Sequence, residues 1–262
     1  MSFLHFLIRF QPTDSADEPE SLLYAGRAVA RRLLLISTST VFGTRYLEHA
    51  FSELREVLEG VRRVLFIPHA LKDHAGYLAK ARAAFEEIGF GLESLHEAKD
   101  PRRSVVEAEA IFCGGGNTFR LLNSLYTMDV LPLLRKRVAE GMPYTGASAG
   151  SNLACPTIRT TNDMPIVEPP SLAGLGLVSF QINPHYLDPL PGSTHMGETR
   201  ETRIREFHEE NDVPVVGLRE GAILRVEGES VELRGRAGAR IFRRGAEPVE
   251  ATPVASIEAL VG

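Results

Sequence analysis

The sequence predicts an α/β fold: a doubly wound, mostly parallel sheet followed by an antiparallel C-terminal β meander. Three observations predict it. From Arg31 to about residue 154, short apolar runs alternate with amphipathic stretches, which is the rhythm of strands and crossover helices. Two glycine-bearing segments, "CGGGNTF" (113–119) and "TGASAG" (145–150), each follow an apolar run, where sites collect in parallel α/β sheets. After Val213 the pattern becomes short β-branched segments between glycine-containing turns.

Taken in order, "RRLLLIS" (31–37) and "RRVLFIP" (62–68) are continuous apolar runs, as expected of strands buried on both faces. Between them "RYLEHAFSELREVLEG" carries Leu47, Phe51, Leu54 and Leu58 at helical spacing. A second helix is expected over "GYLAKARAAFEEIGF" (76–90), a strand over "LESLH", a short helix over "PRRSVVEAE" and a strand ending in glycines over "AIFCGGG". "NTFRLLNSLYTMDVLPLLRKRVAEG" supplies further helix, and "MPYTGAS" is a strand running into Ser148. Val178 to Ile182 reads as another strand, with Asn183-Pro184-His185 turning away from its end. "VPVVGL", "AILRVEG", "SVELRG" and "ARIFRRG" are expected to form the meander at one edge of the sheet.

The chain has 262 residues, enough for one sizeable core and short for two enzyme domains. One catalytic domain is therefore expected over 31–262, with 1–30 as an N-terminal extension in the manner of a disordered tail. The apolar run "MSFLHFLIRF" lacks a cleavage site after it and is too short to span a bilayer. A formal charge of −5 lacks the basic excess of nucleic-acid binders. The two cysteines, Cys113 and Cys155, lie in apolar segments and read as buried thiols of a cytoplasmic protein. The expected protein is cytoplasmic, a monomer or homodimer, with neither membrane nor nucleic acid as a partner.

Gly146-Ala147-Ser148-Ala149-Gly150 fits G-x-S-x-G between a predicted strand and a helix beginning at "SNLA". That setting presents a serine hydroxyl on a sharp turn, with a helix N-terminus to favour developing negative charge. A nucleophilic serine needs a base. His185 is the candidate because it follows a strand, as Ser148 does; His69, after "VLFIP", is the best competitor, and His5, His49, His74, His96, His195 and His208 lack that placement. The acid that orients the imidazole is either Asp163 in "TTNDMP" or Glu220 in "VVGLREGA", since chain order does not define a triad. Backbone N–H groups of Gly115 and Gly116, with that of Ala149 after the nucleophile, are expected to form the oxyanion hole. The glycine run fits neither dinucleotide nor P-loop patterns, and no H-E-x-x-H or C-x-x-C is present; no cofactor and no metal are expected.

Through "SAGSNLACPTIRTTNDMPIVEP", "QINPH", "GETRE" and "GLREG" the chain resembles the peptidase E family of aspartyl dipeptidases, over about Leu33 to Arg244. The resemblance implies a fold like that of the class I glutamine amidotransferases, of flavodoxin-like build. It implies serine-type hydrolysis of dipeptides with an N-terminal aspartate through an acyl-enzyme. It implies Ser148 as nucleophile, His185 as base, Glu220 or Asp163 as acid, and "GGGN" at the oxyanion hole, which puts Asn117 among the substrate-binding residues. Arg200 of "GETRE" would bind the aspartyl carboxylate, a role suited to a bidentate guanidinium, with Arg159 and Arg203 as competitors; Asp163 would bind the substrate amine if Glu220 is the acid. The chain departs from the family in Ala147, where an aromatic residue is common, and in its extension. A lid is expected over residues 157–170. The alternatives are an esterase, amidase or cyanophycin-degrading relative, and a non-enzymatic small-molecule binding protein of the same fold.

Overall fold

The computed structural model describes residues 31–189, 192, 194 and 196–261; the expectation for residues 1–30 lies outside them, as does His195. The chain runs β1 (Arg32–Ile36), α1 (Phe51–Val57), β2 (Arg63–Ile67), α2 (His74–Glu87), β3 (Gly91–Ser94), α3 (Pro101–Glu107) and β4 (Ile111–Cys113). It continues through α4 (Thr118–Thr127), α5 (Leu131–Ala139), β5 (Tyr144–Ala147), α6 (Ala149–Leu153), β6 (Gln181–Tyr186) and α7 (Arg200–Glu210). The last elements are β7 (Val215–Arg219), β8 (Ala222–Glu227), β9 (Ser230–Gly235), β10 (Ala239–Phe242), β11 (Val249–Ala251) and α8 (Glu258–Val261).

Seven strands form the main sheet in the order β3-β2-β4-β5-β1-β8-β9. The first five run parallel, and β8 and β9 close the edge antiparallel. The apolar runs are continuous because each strand buries both faces. In β1, Leu33 and Leu35 enter one core with helices α3 to α6, while Leu34 and Ile36 enter the other with α1 and α2. That division is the physical content of a doubly wound sheet.

Four expectations about the elements change. The first predicted helix is confined to α1 after a 3-10 turn at Glu48–Ala50, because Leu47 takes a left-handed backbone (φ 59°) that an α-helix does not accommodate. The expected strand "LESLH" stops at Ser94 and tightens into a 3-10 turn over Leu95–Glu97. The helical stretch from 117 to 141 breaks at Asp129 (φ 51°) into α4 and α5, and Pro132 sits in the first turn of α5, where its missing N–H costs nothing.

The expected meander is divided between two sheets. β8 and β9 join the main sheet, whereas β7 and β10 lie in a second sheet of order β11-β10-β7-β6. The burial pattern gives the reason. β8 sends Ile223 into one core and Ala222, Leu224 and Val226 into the other, so it needs cover on both faces. The edge beside β1 supplies it. The second sheet lays Ile182, Val216, Leu218 and Ile241 against the larger core.

Candidate active site

The carboxyl ends of three adjacent strands define the site. In β5, Gly146 pairs with Leu35 of β1 and Cys113 of β4, and Ala147 pairs with Ile36. Ser148 therefore emerges between the glycine loop that follows β4 and Ser37, which follows β1. Its backbone is in a sparsely populated region (φ 53°, ψ −106°), held by its N–H donating to the Ile36 carbonyl at 2.9 Å and by its own carbonyl accepting from Ser151 and Asn152.

The glycines of the motif are dictated by close approach. A Cβ on Gly146 would lie 2.6 Å from the Gly150 carbonyl, and one on Gly150 would lie 2.2 Å from the Cys113 carbonyl oxygen. The turn and the first turn of α6 pack backbone against backbone, which only glycine permits.

His185 is found inside β6 rather than on a loop beyond it, which corrects the expected turn. β6 pairs in parallel with β7, and the register shifts between Pro184 and Tyr186, leaving His185 on a bulge with φ 52°. A bulge re-aims its side chain. Here the imidazole reaches Ser148: Nε2 lies 3.0 Å from Ser148 Oγ, and Nδ1 lies 2.7 Å from Oε1 of Glu220, in the turn after β7. With the proton on Nδ1 donated to Glu220, Nε2 is left to accept the serine proton.

Ser37 fixes this geometry from below. Its buried hydroxyl donates to the Leu218 carbonyl at 2.7 Å and accepts the His185 N–H at 3.0 Å, tying the second sheet to the end of β1. Ser37 leaves no mark in the sequence, because a serine after an apolar strand carries no pattern that sets it apart.

The structure places the two candidate acids apart. Among the described residues, Glu220 is the carboxylate hydrogen-bonded to His185. Asp163 does not reach it. Its Oδ2 instead accepts from the Thr118 N–H at 2.7 Å, Thr118 Oγ1 at 2.6 Å and Thr161 Oγ1 at 3.1 Å, at the N-terminus of α4 where the helix dipole favours an anion. Asn117 is engaged locally as well. Its Oδ1 caps α4 by accepting the Arg120 N–H at 3.0 Å, and its Nδ2 donates to the Met164 carbonyl at 2.9 Å. These contacts hold the side chain at the helix start.

The expected lid is pinned along its first half. Asn152 Nδ2 and Thr160 Oγ1 donate to the Ile182 carbonyl at 2.6 and 2.8 Å, Asn162 Nδ2 donates to the Pro184 carbonyl at 2.6 Å, and Asn183 Nδ2 donates to the Thr160 carbonyl at 2.8 Å. The stretch up to Asp163 therefore holds β6 in place.

A cavity of about 380 Å³ opens beside Ser148 and His185, lined also by Tyr46, Tyr77, Lys80 and Gly116. Gly116 (φ 132°) passes so close to residue 70 that a Cβ would meet the Ala70 carbonyl oxygen at 2.7 Å. The N–H of Ala149, first in α6, has no intrahelical acceptor by its position. The Gly115 N–H is engaged, donating to the Tyr77 hydroxyl at 2.8 Å, which differs from its expected place in an oxyanion hole. Tyr46, Tyr77 and Lys80 carry no sequence signal beyond helical placement and were not expected at the site. Arg200 opens α7, partly buried, and does not line this cavity; burial and then the neighbouring Arg203 lower its pKa. Arg159 is exposed, and Arg203 pairs with Glu198.

A serine, imidazole and carboxylate in hydrogen-bonded sequence, at a strained strand-to-helix turn, can perform acyl transfer. Comparison with known proteins agrees with that chemistry. Residues 33–234 match the model of peptidase family S51. The chain is 57% identical over 218 residues to Peptidase E of Streptomyces coelicolor, covering 83% of this chain and 90% of that one. It is 48% identical over 237 residues to a Drosophila melanogaster protein named "Probable alpha-aspartyl dipeptidase", covering 89% and 99% of the two chains. The crystal structure of a peptidase from an acI-B1 Actinobacterium superposes with a TM-score of 0.65 at 17% identity, covering 88% of this chain and 98% of that one, and supports the fold alone. The chain belongs to peptidase family S51.

Proposed function

We propose that this peptidase hydrolyses dipeptides with an N-terminal aspartate through an aspartyl-enzyme on Ser148. The observation that carries the reading is the chain of contacts from Ser148 Oγ to His185 Nε2 at 3.0 Å and from His185 Nδ1 to Glu220 Oε1 at 2.7 Å. His185 takes the serine proton as Oγ attacks the aspartyl carbonyl. The oxyanion forms beside Ala149 and the glycine loop, and His185 returns the proton to the leaving amine. Water then attacks the ester by the same route in reverse.

In this reading Glu220 is the acid, and Asp163 serves the loop that carries Gly116 and the start of α4. Selection for aspartate rests with Arg200. In support, it is a partly desolvated cation, and among the described residues it forms no ion pair; a substrate carboxylate would supply the missing anion. The names borne by the Streptomyces and Drosophila relatives favour the same substrate class. The two thiols, Cys113 and Cys155, are free and buried, and burial raises both pKa values to about 12; free thiols suit a reducing compartment such as the cytoplasm.

The test is a panel of dipeptides differing only in the first residue. Asp-Leu is expected to be turned over at least about a hundredfold faster than Asn-Leu, since a partly buried guanidinium gains a charge-assisted, bidentate pair from the carboxylate that the neutral isostere does not offer. Equal rates would remove the aspartyl assignment.

A further inference from the structure

The left-handed backbone of His185 (φ 52°) is costly for a residue other than glycine and persists only where its surroundings hold it. On the N-terminal side, Asn162 donates to the Pro184 carbonyl at 2.6 Å and the His185 N–H donates to Ser37 at 3.0 Å. On the C-terminal side, the chain is held by Arg219, the last residue of β7.

The register of the second sheet pairs Pro184 with Leu218 and Tyr186 with Arg219, which leaves His185 as the extra residue. Two residues beyond Tyr186, the Asp188 carboxylate meets one edge of the Arg219 guanidinium: Nε donates to Oδ2 at 2.7 Å and Nη2 to Oδ1 at 2.8 Å. Two parallel bonds of this kind fix orientation as well as distance. They hold the Asp188 carboxyl below the usual carboxylate range. The Arg219 Cζ also lies 5.7 Å from the Tyr186 ring centroid, and that buried ring lies so close to β7 that a Cβ on Gly217 would come within 2.7 Å of it. Glu250 of β11 accepts from Nη1 at 2.9 Å and from Nη2 at 3.2 Å, anchoring the guanidinium between two carboxylates. An isolated surface ion pair contributes little, whereas a bidentate arginine in a network is the exception. Arg219 directly precedes Glu220, so one side chain ties the strand end that carries the acid to the strand end that carries the base.

We infer that Arg219 is a positioning residue of the acyl transfer: its paired hydrogen bonds to Asp188 close the bulge behind His185 and keep the imidazole between Ser148 Oγ and Glu220. The inference rests on the acyl-transfer reading of Ser148. The Arg219 guanidinium is paired with Asp188 and Glu250 and does not line the cavity beside Ser148, so it acts through the placement of His185. A base misplaced by about 1 Å costs about a hundredfold in rate. The bulge has room for such a shift, because its extra residue has no partner on β7 to fix it. Without the fork to Asp188, the C-terminal arm of the bulge is restrained by the packing of Tyr186 alone, and His185 drifts from the line joining serine to acid.

The experiment measures the rate of fluorophosphonate labelling of Ser148, which needs His185 as base, and Asp-Leu hydrolysis in wild type, Arg219→Gln, Asp188→Asn, their double variant and Glu250→Gln. Arg219→Gln and Asp188→Asn are each expected to slow labelling and lower kcat about tenfold, with KM within about twofold of wild type. The double variant should be no slower than the single ones, because both remove the same fork, and Glu250→Gln, which leaves that fork in place, should stay within about threefold of wild type. A merely structural role would lower the urea midpoint and leave the labelling rate of the folded enzyme unchanged. That result overturns the assignment, as does a rise in KM at constant kcat, a loss in Glu250→Gln as large as in Asp188→Asn, or losses that multiply in the double variant. If Arg219→Gln fails to fold by circular dichroism, Asp188→Asn, at the more exposed end of the pair, carries the same test. A wild-type Ser148 that resists labelling refutes the acyl-transfer reading itself, whereas a labelled wild type with equally labelled variants refutes only the role of Arg219.

Discussion

Replacing Glu220 by Gln removes one charge and little else, because the amide oxygen can still accept the His185 Nδ1–H. The loss is therefore the electrostatic stabilisation of the imidazolium that forms as Ser148 attacks. At an N–O distance of 2.7 Å the charge centres lie about 4 Å apart, worth about 1 kcal/mol in bulk water and about 4 kcal/mol at the effective dielectric of a protein surface. The side chains of His185 and Glu220 are 37% and 50% exposed, which places the pair between those limits, at about 2 to 3 kcal/mol. Acylation should slow about 30- to 150-fold, well short of the roughly ten-thousandfold cost seen where a triad acid is fully buried. The assay is single-turnover acylation by Asp-Leu at low and high salt, and the deficit should shrink as salt screens the wild-type pair. Asp163→Asn, which leaves the His185 contacts untouched, should lower stability more than acylation. A Glu220→Gln enzyme acylating within about threefold of wild type, or an Asp163→Asn enzyme acylating more slowly than Glu220→Gln, would refute the reasoning.

Three further outcomes follow from the same structure. Ser37→Ala strands the buried Leu218 carbonyl and the His185 N–H and should cost about 2 kcal/mol in denaturant unfolding with a several-fold fall in kcat; a change in stability without any change in kcat would sever Ser37 from His185. Gly150→Ala drives a methyl to 2.2 Å from the Cys113 carbonyl oxygen and should cost more than about 3 kcal/mol, read from the urea midpoint; a loss under about 1 kcal/mol would show that the turn yields easily. His69 is buried, its Nδ1 without a partner among the described residues, and its pKa is lowered to about 4 by burial and then by His74 and His96. A folded value below the unfolded 6.5 means stability is complete above about pH 6.5 and is lost as pH falls towards 4, by up to about 3 kcal/mol; His69→Phe should flatten that part of the urea-stability profile, and parallel profiles would contradict it.

Legibility from sequence followed the range of the physical signal. The parallel strands were readable because burial on both faces writes continuous apolar runs, and the Ser148 turn because Gly146 and Gly150 are forced by contacts within a few residues. His185 was found for its position after an apolar run, but its bulge was not, since the register between β6 and β7 is set by a partner some thirty residues away. Asp163 is offered by its place between Ser148 and His185 in the chain and Glu220 by its place after a strand; which of them reaches the imidazole depends on loop placement, which local sequence does not carry. A substrate role for Asn117 comes from the family resemblance alone, whereas its N-cap bond to the Arg120 N–H belongs to the local start of α4. The division of the C-terminal strands between two sheets, and the meeting of Tyr46, Tyr77 and Lys80 at the cavity, arise from packing alone. Residues such as Ser37 leave no pattern, because a hydroxyl between two carbonyl-rich strands looks like any other serine.

The most direct test of the central claim is intact-mass spectrometry of wild-type enzyme and Ser148→Ala, each quenched during turnover of an Asp-X ester. One aspartyl adduct is expected on wild type, mapped to Ser148, with neither adduct nor hydrolysis in the variant at unchanged circular dichroism. Hydrolysis by a folded Ser148→Ala enzyme, or an adduct on any other residue, would contradict it.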